Sequence, residues 1–187
     1  MGFLKRLLGS RRKRLPTALE GGQTSQPQQW QKLCIGLEGL DCDQLLSDWR
    51  WLVGSRHRPV ALTVFGDWFL ETVDGNILFL DLVSGELKKI ASNIDDFRRM
   101  CRDRENLNKW FMADFAYLCF DRGIVPGPGQ CLSYRIPPIL GGELCLENVE
   151  VSDLMVHESI LGQIHRQVKD LPPGTPIDRI IIDGPEP

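Results

Sequence analysis

Three histidines, six cysteines and a few neighbouring carboxylates are the side chains with which this sequence could do chemistry. His157 and His165 fall eight positions apart in a stretch with helical periodicity. That spacing separates them by ~12 Å at 1.5 Å per residue, whereas ligands of one zinc ion hold their nitrogens ~2 Å from it. The pair cannot share a metal, and a solvent-facing helix surface is the reading it favours. His57 stands between Arg56 and Arg58 just ahead of Pro59, a loop-like setting in which no recognised motif supplies a Ser or Cys partner. Asp95-Asp96 and the Glu147/Glu150 pair carry acid and base groups, but nothing separates their surroundings as two catalytic roles require, so capping and solvation account for them. Gly127 to Gly129 and Gly141-Gly142 lack the Lys-Ser/Thr and helix start of a phosphate loop and read as turns. No catalytic residue, metal ligand or cofactor is expected.

The cysteines, Cys34, Cys42, Cys101, Cys119, Cys131 and Cys145, contain no C-x-x-C pair. Phe3, Leu4, Leu7 and Leu8 precede the main basic run instead of following it, so they do not make an export signal. Ser10-Arg11-Arg12 resembles the start of a twin-arginine signal, but Lys13-Arg14-Leu15-Pro16 follows where an apolar segment is needed. Reduced core thiols in a cytoplasmic protein are expected.

The formal charge of −3 is unevenly spread: the six basic residues of positions 1 to 14 leave 16 basic against 25 acidic residues in the remainder, a net −9. An acidic body disfavours nucleic acid and steers basic protein partners, while the basic tail suits an anionic surface. Phe3, Leu4, Leu7 and Leu8 beside Lys5, Arg6, Arg11, Arg12, Lys13 and Arg14 are the candidate membrane contacts, although so short a helix is marginal in isolation. Residues 1–15 therefore read as a basic, amphipathic tail and 16–31, rich in Gly, Pro, Ser and Gln, as a linker; 32–187 read as one globular domain. Its 42% apolar content supports a packed core.

Within that domain, Asp41 or Asp43 caps a helix carrying Leu45, Trp49, Leu52 and Val53 up to Gly54. Strands follow at 60–65, 68–73, 77–82 and 86–90, turned by Asp74-Gly75 and Ser84-Gly85 into an antiparallel meander. Apolar residues on both faces of 77–82 place that strand centrally. Ser92 and Asp95 resemble a capping box for a helix through Phe97, and one buried helix runs from Leu107 to Phe120 until Gly123. Strands at 131–136 and 149–154 precede a last helix with Val156, Ile160, Leu161, Ile164 and Val168 inward and His157, Glu158, Gln163, Arg166 and Gln167 outward. Ile177 and Ile180 to Ile182 suggest an edge strand. The fold class is α/β in the α+β sense, a central, mainly antiparallel twisted sheet flanked by helices.

Tryptophan fills cores and is also enriched at interfaces. Trp110 reads as core. Trp49 and Trp51 are two residues apart, about 200° around a helix, so Trp51 is the candidate protein contact.

Phe65-Gly66-Asp67-Trp68-Phe69, Asp74-Gly75, Leu80-Asp81 and Ser84-Gly85-Glu86, with Pro128-Gly129-Gln130-Cys131-Leu132-Ser133-Tyr134, Pro138-Ile139-Leu140-Gly141-Gly142 and Glu147-Asn148-Val149-Glu150-Val151, resemble the C-terminal domain family of type VI secretion DNase-immunity proteins. The likeness runs over about residues 45 to 168, and the family is akin to the SUKH superfamily of immunity proteins. It implies a SUKH-like fold and a non-enzymatic chain that binds and neutralises a bacterial toxin, a nuclease or another basic domain. The competing reading is a membrane-recruited adaptor that uses the basic tail at the inner face of the membrane.

Overall fold

Two tight turns generate the central sheet. The computed structural model describes residues 29–172 and 174–184. In it β1 (Cys34–Ile35), β2 (His57–Thr63), β3 (Trp68–Thr72), β4 (Ile77–Asp81) and β5 (Glu86–Ala91) lie side by side in chain order, each antiparallel to the next. The Asp74-Gly75 turn sets the register that places Phe69 opposite Phe79 and Trp68 opposite Leu80. The expected meander is therefore present, with β3 at its centre and β4 next to it.

Because neighbouring residues of a strand face opposite ways, the register builds two cores at once. Phe69, Ile77 and Phe79 face one of them, where Phe69 meets Phe97 at 4.7 Å and Phe111 at 4.9 Å between ring centroids. The helices on that side are α3 (Ile94–Met100), α4 (Arg104–Phe111) and α5 (Ala113–Asp121), with Trp30 against Phe97 and Phe111. Leu62, Trp68, Leu70, Leu80 and Leu82 face the other core, covered by α1 (Cys42–Leu45), α2 (Arg50–Val53) and the long α6 (Leu154–Val168). A second, two-stranded sheet of β6 (Gln130–Tyr134) and β7 (Val149–Asp153) joins the end of β2 through Leu132 N–H donating to Val64 O at 2.7 Å.

Several expectations are corrected. The helix expected over 43–53 is interrupted: α1, capped by Asp41, ends at Leu46, a 3-10 turn covers Ser47–Trp49 and α2 resumes at Arg50. The cap of α3 is Asn93, whose side chain accepts from Asp96 N–H, in place of Ser92. The single helix from 107 to 120 is two, divided at Met112, which adopts a left-handed conformation (φ 47°, ψ 43°). Asn108 explains the break: its side chain accepts from Asp114 N–H at 2.9 Å and donates to the Asp114 carboxylate at 2.8 Å, so it caps the new helix. The bend lets Trp110 and Phe111 on α4 and Ala113, Ala116 and Cys119 on α5 all reach the core, while Leu118 turns outward. His57 is the first residue of β2, paired with Thr72, and not a loop residue. Ile177 and Ile180 to Ile182 form no regular strand.

The largest correction concerns α6. Its buried residues are Leu154, His157, Glu158, Leu161, Gly162, Ile164, His165 and Val168, whereas Val156 is 50% exposed. His157, Glu158 and His165 thus face inward, each with a partner in the sheet or the small sheet, which apolar periodicity does not register. Gly162 permits this by letting α6 approach the 3-10 turn: a Cβ there would lie 2.8 Å from Asp48 Cβ. Asp48 in turn accepts from Ser159 Oγ at 2.6 Å.

Gly85 shows how tightly the sheet meets α6. It sits at φ 66°, and a Cβ on it would lie 2.2 Å from His165 Nδ1. Gly85→Ala combines left-handed strain with overpacking of a buried ring and should lower unfolding free energy by about 2–4 kcal/mol in a denaturant titration. A loss under half a kilocalorie would mean that His165 is free to move aside.

Candidate protein interface

Two places could bear function: a buried polar set beneath α6 and the polar surface with its loops. The buried set was missed in the sequence because its members sit within apolar runs. Asp67 accepts from Leu82 N–H at 2.9 Å and from Thr63 Oγ1 at 2.9 Å. Glu158 accepts from Trp68 Nε1 at 3.1 Å, and its main-chain carbonyl accepts from Trp49 Nε1 at 3.1 Å. His157 spans from Ser133 Oγ at 2.9 Å to Phe65 O at 3.0 Å, and His165 Nε2 donates to Leu82 O at 2.9 Å.

Burial dominates the ionisation of this set. It raises Asp67 from 3.8 to about 7, helped by the nearby Asp81, and raises Glu158 well above the carboxylate range. It lowers His157 from 6.5 to about 4 and also lowers His165. These buried groups bond mainly within the fold and hold α6 against it, and the larger surface depressions are lined by other residues. Among the described residues no group of three or more His, Cys, Asp or Glu is placed to hold a metal ion.

The signs follow from linkage. A carboxyl whose pKa is raised on folding contributes stability that is complete below its unfolded value and declines as pH rises, here from 3.8 to about 7 for Asp67. His157 acts in the opposite sense, losing stability as pH falls from 6.5 towards about 4. Asp67→Asn keeps an acceptor for Leu82 N–H and removes the titration. Its stability relative to the wild type should rise by roughly 2–4 kcal/mol between pH 4 and pH 7 and stay level above. Melting midpoints that track the wild type across this range would show an ionised Asp67 at no cost.

On the surface, β1 peels away from β2 after Ile35 and leaves an open depression of about 800 Å³ lined by Leu37, Asp41, Asp43, His57, Arg58 and Pro59. Arg58 is salt-bridged to Glu71, and His57 beside it opens β2. Pro59 and the register shift beside it blunt this edge against strand addition. Trp51 lies nearby in sequence on α2, half-buried and stacked on Trp49 at 6.3 Å between centroids. Trp49 closes the 3-10 turn and Trp51 lies in α2, so the two rings belong to different short elements and meet side by side. The candidate membrane contacts Phe3 to Arg14 lie outside the described residues.

The loop between β6 and β7, residues 135–148, is built differently. One side chain organises it: Asn148 Oδ1 accepts from Ile136 N–H at 3.0 Å, while Nδ2 donates to both Ile136 O and Glu143 O at 2.9 Å. Its carbonyl also accepts from Arg135 N–H at 2.8 Å. Gly142 allows the crossing, since a Cβ there would lie 1.8 Å from Ile136 O. The result carries Ile136 and Leu144, 56% and 54% exposed, on two strands of loop drawn together at one amide. Around them Glu143, Glu147 and Glu150 outnumber Arg135, which pairs with Glu150 at 3.5 Å. Exposed aliphatics on a fixed backbone within an acidic rim suit a protein contact.

This loop lies inside the one segment that matches a known family. Residues 91–165 match the family described as T6SS immunity protein Tdi1, C-terminal. The match bears out the sequence resemblance over a narrower span than 45 to 168, from the end of β5 through α3 to α5, the small sheet and most of α6. No curated protein matches the chain. The crystal structure of Atu4351 from Agrobacterium tumefaciens aligns with a TM-score of 0.49 and 18% identity, covering 66% of this chain and 65% of that one. In the sequence, Pro138-Ile139-Leu140-Gly141-Gly142 registered as a turn and as one of the motifs of the family resemblance, without pointing to a contact surface. The role of Asn148 had no signal, because its three side-chain bonds are to main chain.

Asn148→Ala removes all three bonds and should leave the core folded while freeing the loop. Limited proteolysis within 136–147 should accelerate, with a stability loss of about 1–3 kcal/mol. An unchanged cleavage rate would show that the 3-10 turns at Pro138–Leu140 and Leu146–Asn148 hold the loop without it.

Proposed function

We propose that the chain is a non-enzymatic immunity-type protein that binds and neutralises a toxin domain, with the 135–148 loop as part of its contact surface. The supporting observation is the placement of that loop, rigid, acidic and aliphatic-tipped, within the segment that matches the Tdi1 C-terminal family. An acidic rim favours a cationic partner, and nucleases are cationic where they engage phosphates, so a nuclease toxin fits the charge. A stable contact needs about 800 Å² from each partner, more than this loop offers, so neighbouring surface must contribute.

The adaptor reading depends on residues 1–14, which lie outside the described structure; no helix among the described residues is long and apolar enough to cross a membrane. One experiment separates the readings: tagged wild-type, Ile136→Asp/Leu144→Asp and 1–14-deleted chains are expressed in the native host and co-purifying proteins are identified. The immunity reading requires a stoichiometric toxin-like partner that the deletion retains. The double substitution should weaken its capture by ~30-fold or more, about 2 kcal/mol, with unaltered circular dichroism. Full capture by the double variant would remove the loop from the interface, and loss of membrane proteins on deleting the tail would favour the adaptor.

A further inference from the structure

The C-terminal segment is attached to the fold in an unusual way. Gln167 donates from Nε2 to Ile181 O at 2.7 Å and accepts from Ile181 N–H at 3.1 Å. One helical turn earlier, Gln163 donates to Asp183 O at 3.1 Å and accepts from Asp183 N–H at 2.7 Å. Each amide therefore treats one residue of the segment as a neighbouring strand would. The spacing works because four residues of helix rise about 6 Å and two residues of extended chain about 6.6 Å.

This arrangement satisfies only one edge. Residues 181 and 183 turn both main-chain groups towards α6, so in extended backbone those of Ile180 and Ile182 point the opposite way. They take no hydrogen bond among the described residues. Ile180 packs on the core beneath α6, whereas Ile181 and Ile182 are 60% and 42% exposed. An apolar, open strand edge is a template for another strand. Arg179 and Asp183, at its two ends, form no ion pair among the described residues.

The order Arg179-Ile180-Ile181-Ile182-Asp183 is self-complementary when read antiparallel. With Ile181 facing Ile181 of a second copy, Ile180 meets Ile182 and Arg179 meets Asp183, each twice. This register also brings the open main-chain groups of Ile180 and Ile182 into bonded pairs and leaves the charged pairs in the close, non-bonded positions. Shifting by two residues, the next register that keeps the open main-chain groups facing each other, would set Ile181 against Asp183. Pro176 and Pro185 in the sequence bound the edge, since neither offers an N–H.

We propose that the 179–183 segment is a homodimerisation edge, at which two copies pair antiparallel about Ile181. The interface is isologous, so every substitution acts twice. Sedimentation equilibrium of the full chain over a concentration series, with variants checked by circular dichroism, tests it. The wild type should show a reversible monomer–dimer equilibrium. Arg179→Asp and Asp183→Arg should each weaken dimerisation by about tenfold or more, and the double variant, which restores opposite charges across the axis, should recover it. Ile182→Pro removes an outward N–H without touching either glutamine and should abolish the dimer. A monomeric wild type, a double variant no better than the single ones, or an unaffected Ile182→Pro would each overturn the proposal. So would a monomer whose Ile182→Pro variant loses a co-purified partner, because the edge would then belong to that partner.

Discussion

The seam between α6 and the central sheet is made of polar groups that have no access to water, and the rest of the molecule depends on it. His157, Glu158 and His165 reach respectively the carbonyl of Phe65, the indole of Trp68 and the carbonyl of Leu82. An apolar helix could slide or rotate on the apolar face of a sheet at small cost, because hydrophobic contact is not directional. Hydrogen bonds to single carbonyls and one indole leave no such freedom, since any displaced register strands buried groups at about 1–3 kcal/mol each. The seam thus fixes one orientation of α6, and Gly85 and Gly162 are the places where the approach is too close for a side chain.

The same seam carries the position of the candidate interface. Ser133 on β6 shares His157 with the sheet, so the small sheet is tied to α6 and to the turn after β2 by one imidazole. The loop from 135 to 148 leaves β6 two residues beyond Ser133 and returns into β7, which leads directly into α6 through Asp153, the helix cap. Its orientation is therefore inherited from a buried network. On the opposite side of the sheet, the aromatic packing around Phe69 takes in Tyr134 and Val149, which flank the loop, and Leu146 within it.

What could be read in the sequence follows the physics of each signal. The meander was legible because Asp74-Gly75 and Ser84-Gly85 act locally and bound β-prone runs. The division at Met112 was not, since it depends on Asn108 reaching Asp114 six residues away, a contact that apolar periodicity does not encode. The inward face of α6 was misassigned for a related reason: counting His157, Glu158 and His165 as solvent-seeking ignores that a neutral imidazole or carboxyl with a fixed partner can be buried. Trp51 was assigned to a separate face on the premise of one continuous helix, whereas the helix is interrupted ahead of it and its ring stacks on Trp49. The family resemblance took in residues of the loop, Pro138 to Gly142 and Asn148 among them, but not what Asn148 does, because it works through main-chain contacts that any loop sequence could offer.

The 135–148 loop and the 179–183 segment solve the same problem, how to hold exposed backbone still outside a regular helix or sheet. Asn148 does so by collecting main-chain groups from both arms of its loop; Gln163 and Gln167 do so by imitating a strand. Ordering a flexible segment on binding costs about 0.5–1.5 kcal/mol for each immobilised side chain and more for backbone. A segment already ordered in the free chain avoids that cost at the moment of association. Side-chain amides suit the task because each carries both a donor and an acceptor, matching a peptide group on either side. An aliphatic side chain could cover the same backbone but would leave its polar groups unpaired, so the exposed isoleucines and leucine that remain outside are free to serve contact instead of support.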